Sequence, residues 1–408
     1  MQQPGVIVVG SGQGGFQLAA SLRDEGYQGP VTLVGDEPGL PYQRPPLSKS
    51  FLAGKAEPGQ IELRPAAFFA ERNIALIAPD RVTAIDRGAR RVTLASGASL
   101  DYEHLVLATG ARARMPAIAG VNLQGVLALR TRADAQALLG RLREARRLVV
   151  VGAGFIGLEV AVMARQLGLE VRVIEFADRV LSRALSPLTA DYLAQAQLAR
   201  GVQFSLGTGV TAFTGSDGRV EAVLTSGGES VPADLVVVGI GVEPNVDLAA
   251  SAGLQLQDGI VVDRHLATSD PAISAIGDCA RYPAGYCDAP VRIESVQNAV
   301  DQARCVAARI AGKAAPYAKV PWFWSDQGDN RLQIAGLAAA GDSAVLRGEP
   351  GSGKFSVLRF RDGRLSAVES INSAADHMAA RKLLAAATPI SPAQAADTSV
   401  KLAALVAP

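Results

Sequence analysis

A chain of 408 residues exceeds the ~100–200 residues that a single core usually serves, so the length predicts two to three domains. With 49% hydrophobic and 19% charged residues it has ample core material, which excludes a disordered or fibrous chain. Forty basic residues against 39 acidic ones leave a net charge of +1, without the basic excess that nucleic-acid binders use on phosphates, so no nucleic-acid partner is expected.

From the N-terminus, Met1 to Gly5 carry no basic n-region, so no signal peptide is expected. Val6 to Val9 form a β-branched run that ends in Gly10-Ser11-Gly12-Gln13-Gly14-Gly15. A helical pattern through Leu22 follows, and then a second apolar run, Val31 to Val34, closed by Asp36 and Glu37. The pattern returns 142 residues later: Leu148 to Val151, Gly152-Ala153-Gly154-Phe155-Ile156-Gly157, a helix through Leu167, and Val171 to Ile174 closed by Glu175. Each copy is strand, GxGxxG, helix, strand, acid, with 26 and 23 residues from first glycine to acid. In such a unit the first glycine permits the turn, the second lets backbone approach a pyrophosphate, and the third lets helix pack on strand. The phosphates meet free N–H groups at the helix start, and the acid accepts from an adenosine ribose. Two such sites in one chain suggest a flavin and a nicotinamide that react with each other.

The apolar stretch Leu148 to Ala164, between two arginines, has 17 residues and contains Glu159, whereas a membrane helix needs ~20 apolar residues. No membrane span is expected. Asp234 to Gly241 reads as a strand leaving the second unit, with Glu243-Pro244-Asn245 breaking the pattern behind it, and Arg112 to Pro116 is the matching exit from the first. Boundaries fall near 113, 242 and 321. Beyond 321, the runs Leu332–Leu337, Ser343–Leu346, Phe355–Phe360 and Leu365–Val368 read as short strands with a hairpin turn at Asp362-Gly363, followed by a helix over Ala374–Ala387. This is a small α+β domain. The whole is an α/β chain of two Rossmann-like domains and a C-terminal α+β domain. His104, His265 and His377 are scattered, and the cysteines Cys279, Cys287 and Cys305 form neither a CxxC pair nor an even-numbered disulfide framework. No metal site is therefore expected, and this cysteine usage suits a reducing cytoplasm. No GxSxG or HExxH motif supplies hydrolytic machinery.

The chain resembles the two-dinucleotide-binding-domain flavoproteins with a glutathione reductase-like fold, and within them the NADH-dependent ferredoxin reductases that serve oxygenases. The residues that carry the resemblance are the first GxGxxG, Pro41-Tyr42-Gln43-Arg44-Pro45-Pro46-Leu47-Ser48-Lys49, Leu105 to Gly110, and the second GxGxxG ending in Gly157-Leu158-Glu159. They continue with Ala275-Ile276-Gly277-Asp278, Glu294 to Ala299, and Pro321-Trp322-Phe323-Trp324-Ser325-Asp326-Gln327. The resemblance implies FAD on a discontinuous domain, 1–112 with 242–320, NADH on 113–241, and a C-terminal interface domain, 321–408, that covers the flavin.

The resemblance also implies residue roles. Lys49 and Glu159, which by spacing alone read as surface charges, are placed beside the isoalloxazine as a pair. Trp324, by residue type a core tryptophan, is placed against the flavin face. FAD contacts are implied for Gly10, Gly12, Gly14, Gly15, Asp36, Arg44, Lys49, Val82, Ala108, Thr109, Gly110, Arg130, Asp278, Glu294, Val296 and Trp324. NAD contacts are implied for Gly152, Gly154, Phe155, Ile156, Gly157, Glu159, Glu175 and Gly241. Relatives that reduce disulfides carry cysteines in the stretch equivalent to Gly35–Phe51, which here has none, so thiol redox chemistry is not expected. The implied activity is electron transfer from NADH through FAD to a [2Fe–2S] ferredoxin that feeds a P450 or ring-hydroxylating oxygenase. Alternatives are a rubredoxin reductase, an NADH oxidase, and an apoptosis-inducing-factor-like flavoprotein with a binding role. Arg304, on a helical pattern from Val296 through Ile310, is the expected docking charge for an acidic ferredoxin, with Arg309 a weaker candidate.

Overall fold

The computed structural model describes residues 4–287 and 289–406, so Met1 to Gln3, used above in reading the N-terminus, lie outside it. The chain forms two compact units, one of residues 1–43, 58–112 and 243–321, the other of 44–57, 113–242 and 322–408.

The first unit is built on five parallel strands in the order Ile74–Ile77, Val31–Val34, Gly5–Val9, Ser99–Leu107, Ile273–Ala275. Val8, Leu33, Leu105, Val106 and Ile273 are wholly buried, as expected of a parallel sheet covered on both faces. The helix Gln13–Asp24 starts at Gly12 and stops before Gly26, whose φ of +87° a helix cannot continue through. It packs against the helix Val296–Ile310, which Ser295 caps by accepting the Asn298 N–H at 3.1 Å. The near half of Ser99–Leu107 carries two antiparallel strands, Arg91–Leu94 and Val82–Asp86.

The second unit repeats the plan. Its parallel strands run Val202–Ser205, Glu170–Ile174, Arg147–Val151, Leu235–Val238, Val126–Ala128, and a three-stranded antiparallel sheet follows. The helix Phe155–Gln166 buries every residue from Gly157 to Ala164, and Glu159 is the one charged residue among them.

Residues 322–371 add a five-stranded antiparallel sheet, including the strand Trp322–Gln327 that the sequence reading did not single out. Its hairpin turns at Asp362 and Gly363 with φ of 48° and 76°, the left-handed pair a two-residue turn requires. Alternation along Lys354–Arg361 serves two cores. Phe355 and Val357 join Leu158, Leu193 and Leu332, whereas Leu358 and Phe360 face Ala379, Ala380 and Leu383 of the helix Ala374–Ala385. One face of this sheet thus shares the core of residues 113–242, and residues 322–408 group with them in one compact unit. The buried Glu369 adds a polar tie: it accepts the Ser186 N–H at 2.8 Å and the Ser186 hydroxyl at 2.6 Å at the start of the helix Pro187–Ala199, and pairs with Arg359 at 3.1 Å.

Residues 44–57, expected within 1–112, group with the second unit. Leu52 is completely buried in the core that holds Leu158 and Phe355, and this anchors the segment in the second unit.

Candidate functional site

In the first unit, Gly10 follows the carboxyl end of its strand at φ +106°, and a Cβ there would lie 2.3 Å from the Ala108 carbonyl oxygen. A Cβ on Gly15 would lie 1.9 Å from the Gly10 carbonyl oxygen, while one on Gly12 would meet no atom within 4 Å. The outer glycines are therefore demanded by the fold, and the middle one leaves open space at a helix start. The second unit reproduces this: Gly152 against Gly239 at 2.5 Å, Gly157 against Gly152 at 2.4 Å, and only ordinary contact, 3.7 Å, at Gly154. Each space lies at the switch point between the first strand of its unit and the strand beside it, where unpaired helix N–H groups can take a phosphate. The residues fit two pyrophosphates. Gly14 differs: a Cβ there would make ordinary contact with Ala299, so it serves packing of the two helices.

Around the first cradle, Asp36, exposed, follows Val31–Val34, while Glu37 accepts the Tyr42 hydroxyl at 2.5 Å. Ala108, Thr109 and Gly110 follow Ser99–Leu107. The Thr109 hydroxyl donates to the Asn245 carbonyl at 2.7 Å, and the Asn245 amide returns to the Thr109 carbonyl at 2.8 Å. Asp278 follows the neighbouring strand, after Gly277, whose N–H donates to Gln302 at 2.7 Å. Arg292 joins two further candidates, donating to the Asp278 carbonyl at 3.1 Å and the Glu294 carboxylate at 2.7 Å, and Val296 opens the next helix. Val82 is buried in the core, so its main chain is what it can offer a ligand. Cys279 and Cys305 are free thiols, and burial pushes the Cys279 thiol pKa up.

In the second unit, the Glu175 carboxylate accepts the Ala153 N–H at 2.6 Å and the Ala177 N–H at 2.9 Å, which fixes it beside the glycine loop. The Phe155 ring packs on Phe323 with centroids 4.7 Å apart, while Ile156 is exposed. Gly241 has φ +107°. Arg44 donates to the Arg130 carbonyl at 2.6 Å, bringing those two candidates together.

The surface-charge reading of Glu159 does not hold: its side chain is 2% exposed. Lys49 Nζ lies 3.1 Å from Oε1, the Ser48 hydroxyl donates to Oε2 at 2.5 Å, and the Ser325 hydroxyl and Asp326 N–H donate to Oε1 at 2.6 and 3.3 Å. Lys49 also lies 3.8 Å from Asp326 Oδ2. A carboxylate taken out of water needs this many donors to remain charged. Trp324, half-buried, sits on the strand that carries Ser325 and stacks near Trp322 at 5.7 Å. Ser48, Ser325, Gln327 and Gln197 were missed in the sequence; the available signal was a charge inside the apolar run Leu158–Ala164, which must be met by polar partners elsewhere.

Arg304 is exposed, 3.8 Å from Asp301, whereas Arg309 folds back so that its guanidinium donates to Ser274. Arg309 is thus a structural residue. Among the described residues no helix is long and apolar enough to cross a membrane.

Two phosphate cradles, with an ionic pair on a buried carboxylate beside one of them, define a two-dinucleotide oxidoreductase. Residues 4–303 match the pyridine nucleotide-disulphide oxidoreductase family and residues 322–406 the reductase C-terminal family. Rhodocoxin reductase of Rhodococcus erythropolis is 50% identical over 402 residues, 98% of this chain and 94% of that one. The ferredoxin reductase for the CYP199A2 system from Rhodopseudomonas palustris superposes with a TM-score of 0.97 at 47% identity, covering 99% of this chain and 100% of that one. The covalent putidaredoxin reductase–putidaredoxin complex gives 0.96 at 39% identity, covering 100% and 99%. The chain belongs to the pyridine nucleotide-disulphide oxidoreductase family, and it is an FAD-dependent oxidoreductase of the ferredoxin–NAD(P)+ reductase type.

Proposed function

We propose that this enzyme passes electrons from NADH to a [2Fe–2S] ferredoxin serving a P450 or ring-hydroxylating oxygenase in a reducing cytoplasm. The reading rests on one observation above others: two glycine cradles of matching geometry in a chain whose buried Glu159 carboxylate holds Lys49 at 3.1 Å. FAD, when bound, accepts a hydride from the nicotinamide and gives up electrons singly. Gly12 would take its pyrophosphate, Asp36 its ribose and Asp278 its ribityl chain. Arg44, Val82, Ala108, Thr109, Gly110, Arg130, Glu294 and Val296 complete the contacts. In the second unit Gly154 takes the NADH pyrophosphate, Glu175 the adenosine ribose, and Phe155, Ile156 and Gly241 flank the nucleotide.

Lys49 and Glu159 act at the hydride-transfer locus. The ammonium gives positive potential towards reduced flavin, and the carboxylate keeps that ammonium charged and oriented. Trp324 covers the flavin face and excludes water. With no cysteine from Gly35 to Phe51, electrons leave for an external acceptor, docked at Arg304. The test is NADH-driven turnover with [2Fe–2S] ferredoxins, rubredoxin and oxygen alone. Ferredoxins are expected to be reduced fastest. Faster reduction of rubredoxin or oxygen than of every ferredoxin overturns the reading.

A further inference from the structure

Behind Glu159 runs a chain of buried polar side chains that the function above does not use. Gln197, 1% exposed on the helix Pro187–Ala199, donates through Nε2 to Gln327 Oε1 at 3.0 Å. Gln327, 2% exposed, donates through Nε2 to Ser325 Oγ at 2.8 Å, and the Ser325 hydroxyl donates to Glu159 Oε1. Backbone carbonyls, which only accept, fix the orientation of both amides. Gln197 Nε2 also donates to the Leu158 carbonyl at 3.3 Å, and Gln327 Nε2 to the Phe155 carbonyl at 3.2 Å. Flipping either amide would set oxygen against oxygen. With Gln327 donating to its oxygen, the Ser325 proton is directed at Glu159. Gln197 Oε1 accepts nothing, which marks it as the head of the chain.

We propose that Gln327 is a positioning residue for hydride transfer: by donating to Ser325 it directs the Ser325 hydroxyl to donate to Glu159 and so favours that group as the carboxylate. This rests on the reading that the Lys49–Glu159 pair lies at the hydride-transfer locus. The charged groups facing Glu159 are Lys49 and, across the same ammonium, Asp326; Ser48, from the segment 44–57, is neutral and donates as well. A carboxylic acid at 159 would need the Ser325 or Ser48 hydroxyl to turn its proton away and accept instead, and at Ser325 the Gln327 amide already occupies one acceptor position. Ionisation is therefore set by the direction of neutral hydrogen bonds as well as by the ammonium.

The test uses the holoenzyme with Gln327→Met, which removes the donor at similar volume, and Gln327→Glu, which reverses the chain and adds negative charge. Infrared pH titration follows the carbonyl band of a protonated buried carboxyl, assigned to Glu159 by its loss on adding Glu159→Gln. The band is expected at higher pH in Gln327→Met than in wild type, and higher still in Gln327→Glu. Stopped-flow reduction of FAD by NADH is expected to fall about tenfold at neutral pH in Gln327→Glu, a loss of about 1.4 kcal/mol in transition-state stabilisation, and to recover as pH rises. If Gln327→Glu does not retain FAD, Gln327→Met decides. Wild-type band position and pH–rate profile in Gln327→Met overturn the proposal. Hydride transfer unaffected by Glu159→Gln overturns instead the placing of the pair at the reaction locus, and leaves the infrared comparison to judge the chain on its own.

Discussion

NADH should be strongly preferred over NADPH, and Glu175 should be the cause. Its carboxylate cannot swing away from a 2′-phosphate without giving up the Ala153 and Ala177 N–H groups, at 2.6 and 2.9 Å. Two unit charges ~4 Å apart repel by about 4 kcal/mol at an effective dielectric of ~20 and about 1 kcal/mol in bulk water. Glu175 is half-buried, so a value between these limits applies. Among nearby cations, Arg179 is turned aside, donating to the Leu185 carbonyl at 3.1 Å, and Arg183 is exposed near Gly241. A net bias of about 2–3 kcal/mol corresponds to about 30- to 160-fold in kcat/KM. The assay is steady-state oxidation of each nucleotide with a small artificial acceptor at saturation. Glu175→Gln should reduce the preference to within about fivefold by removing the charge while keeping an accepting oxygen. Comparable kcat/KM for the two nucleotides in the wild type, or an unchanged ratio in Glu175→Gln, would refute the reasoning.

Gly154→Ala should leave thermal stability unchanged yet raise KM for NADH at least tenfold, while Gly157→Ala, whose Cβ lies 2.4 Å from the Gly152 carbonyl, should lower the melting temperature; the reverse pattern in scanning calorimetry contradicts the cradle geometry. A variant with Cys279→Ser, Cys287→Ser and Cys305→Ser together should keep NADH-driven FAD reduction, and its loss with FAD still bound counts against an external acceptor. His377 is buried, and chiefly burial, then Arg381 and Arg331, lowers its pKa from 6.5 to about 4. The neutral folded form therefore contributes stability that is complete above pH 6.5 and lost as pH falls towards 4, a slope in melting temperature that His377→Leu should flatten. Arg304→Glu should raise KM for ferredoxin, and wild-type turnover should fall with salt as the Debye length shrinks from ~10 Å at 0.1 M to ~3 Å at 1 M. Reduction of a small acceptor by Arg304→Glu should be unaffected, and normal ferredoxin turnover by that variant at low salt removes the docking role.

The parts of the fold that were legible before the structure are those written in local pattern. Gly10 and Gly152 are spaced alike because both meet the same obstacle, a carbonyl on the neighbouring strand, at 2.3 and 2.5 Å. The helix Val296–Ile310 and the turn at Asp362-Gly363 follow from periodicity and from residues that tolerate positive φ. The strand Trp322–Gln327 was quoted only as a motif, because aromatic residues at three of its first three positions hide the alternation. Its Phe323 packs on Phe155 and its Ser325 reaches Glu159, whereas Trp322 and Trp324 lie together on the opposite side. That division into faces depends on what lies across from the strand, and no single stretch of sequence contains it.

The same reasoning explains why Glu159 reads one way in sequence and another in the fold. On helical spacing alone a charge after a glycine loop belongs in water, and only the long-range neighbours reverse this. Ser48 and Lys49, on one segment, come from 111 and 110 residues earlier, and Ser325, on another, from 166 later. Removing any one leaves a carboxylate with a donor missing at a cost of about 1–3 kcal/mol, so the segment 44–57 and the strand Trp322–Gln327 are bound to the helix Phe155–Gln166 by one carboxylate. Segment 44–57 therefore folds with the second unit although it is preceded and followed by residues of the first: Leu52 supplies the apolar anchor, and Glu159 fixes where Lys49 must stand. A surface pair could be lost without consequence for the fold, but a pair built on a buried carboxylate couples the position of Lys49 to the assembly of the unit.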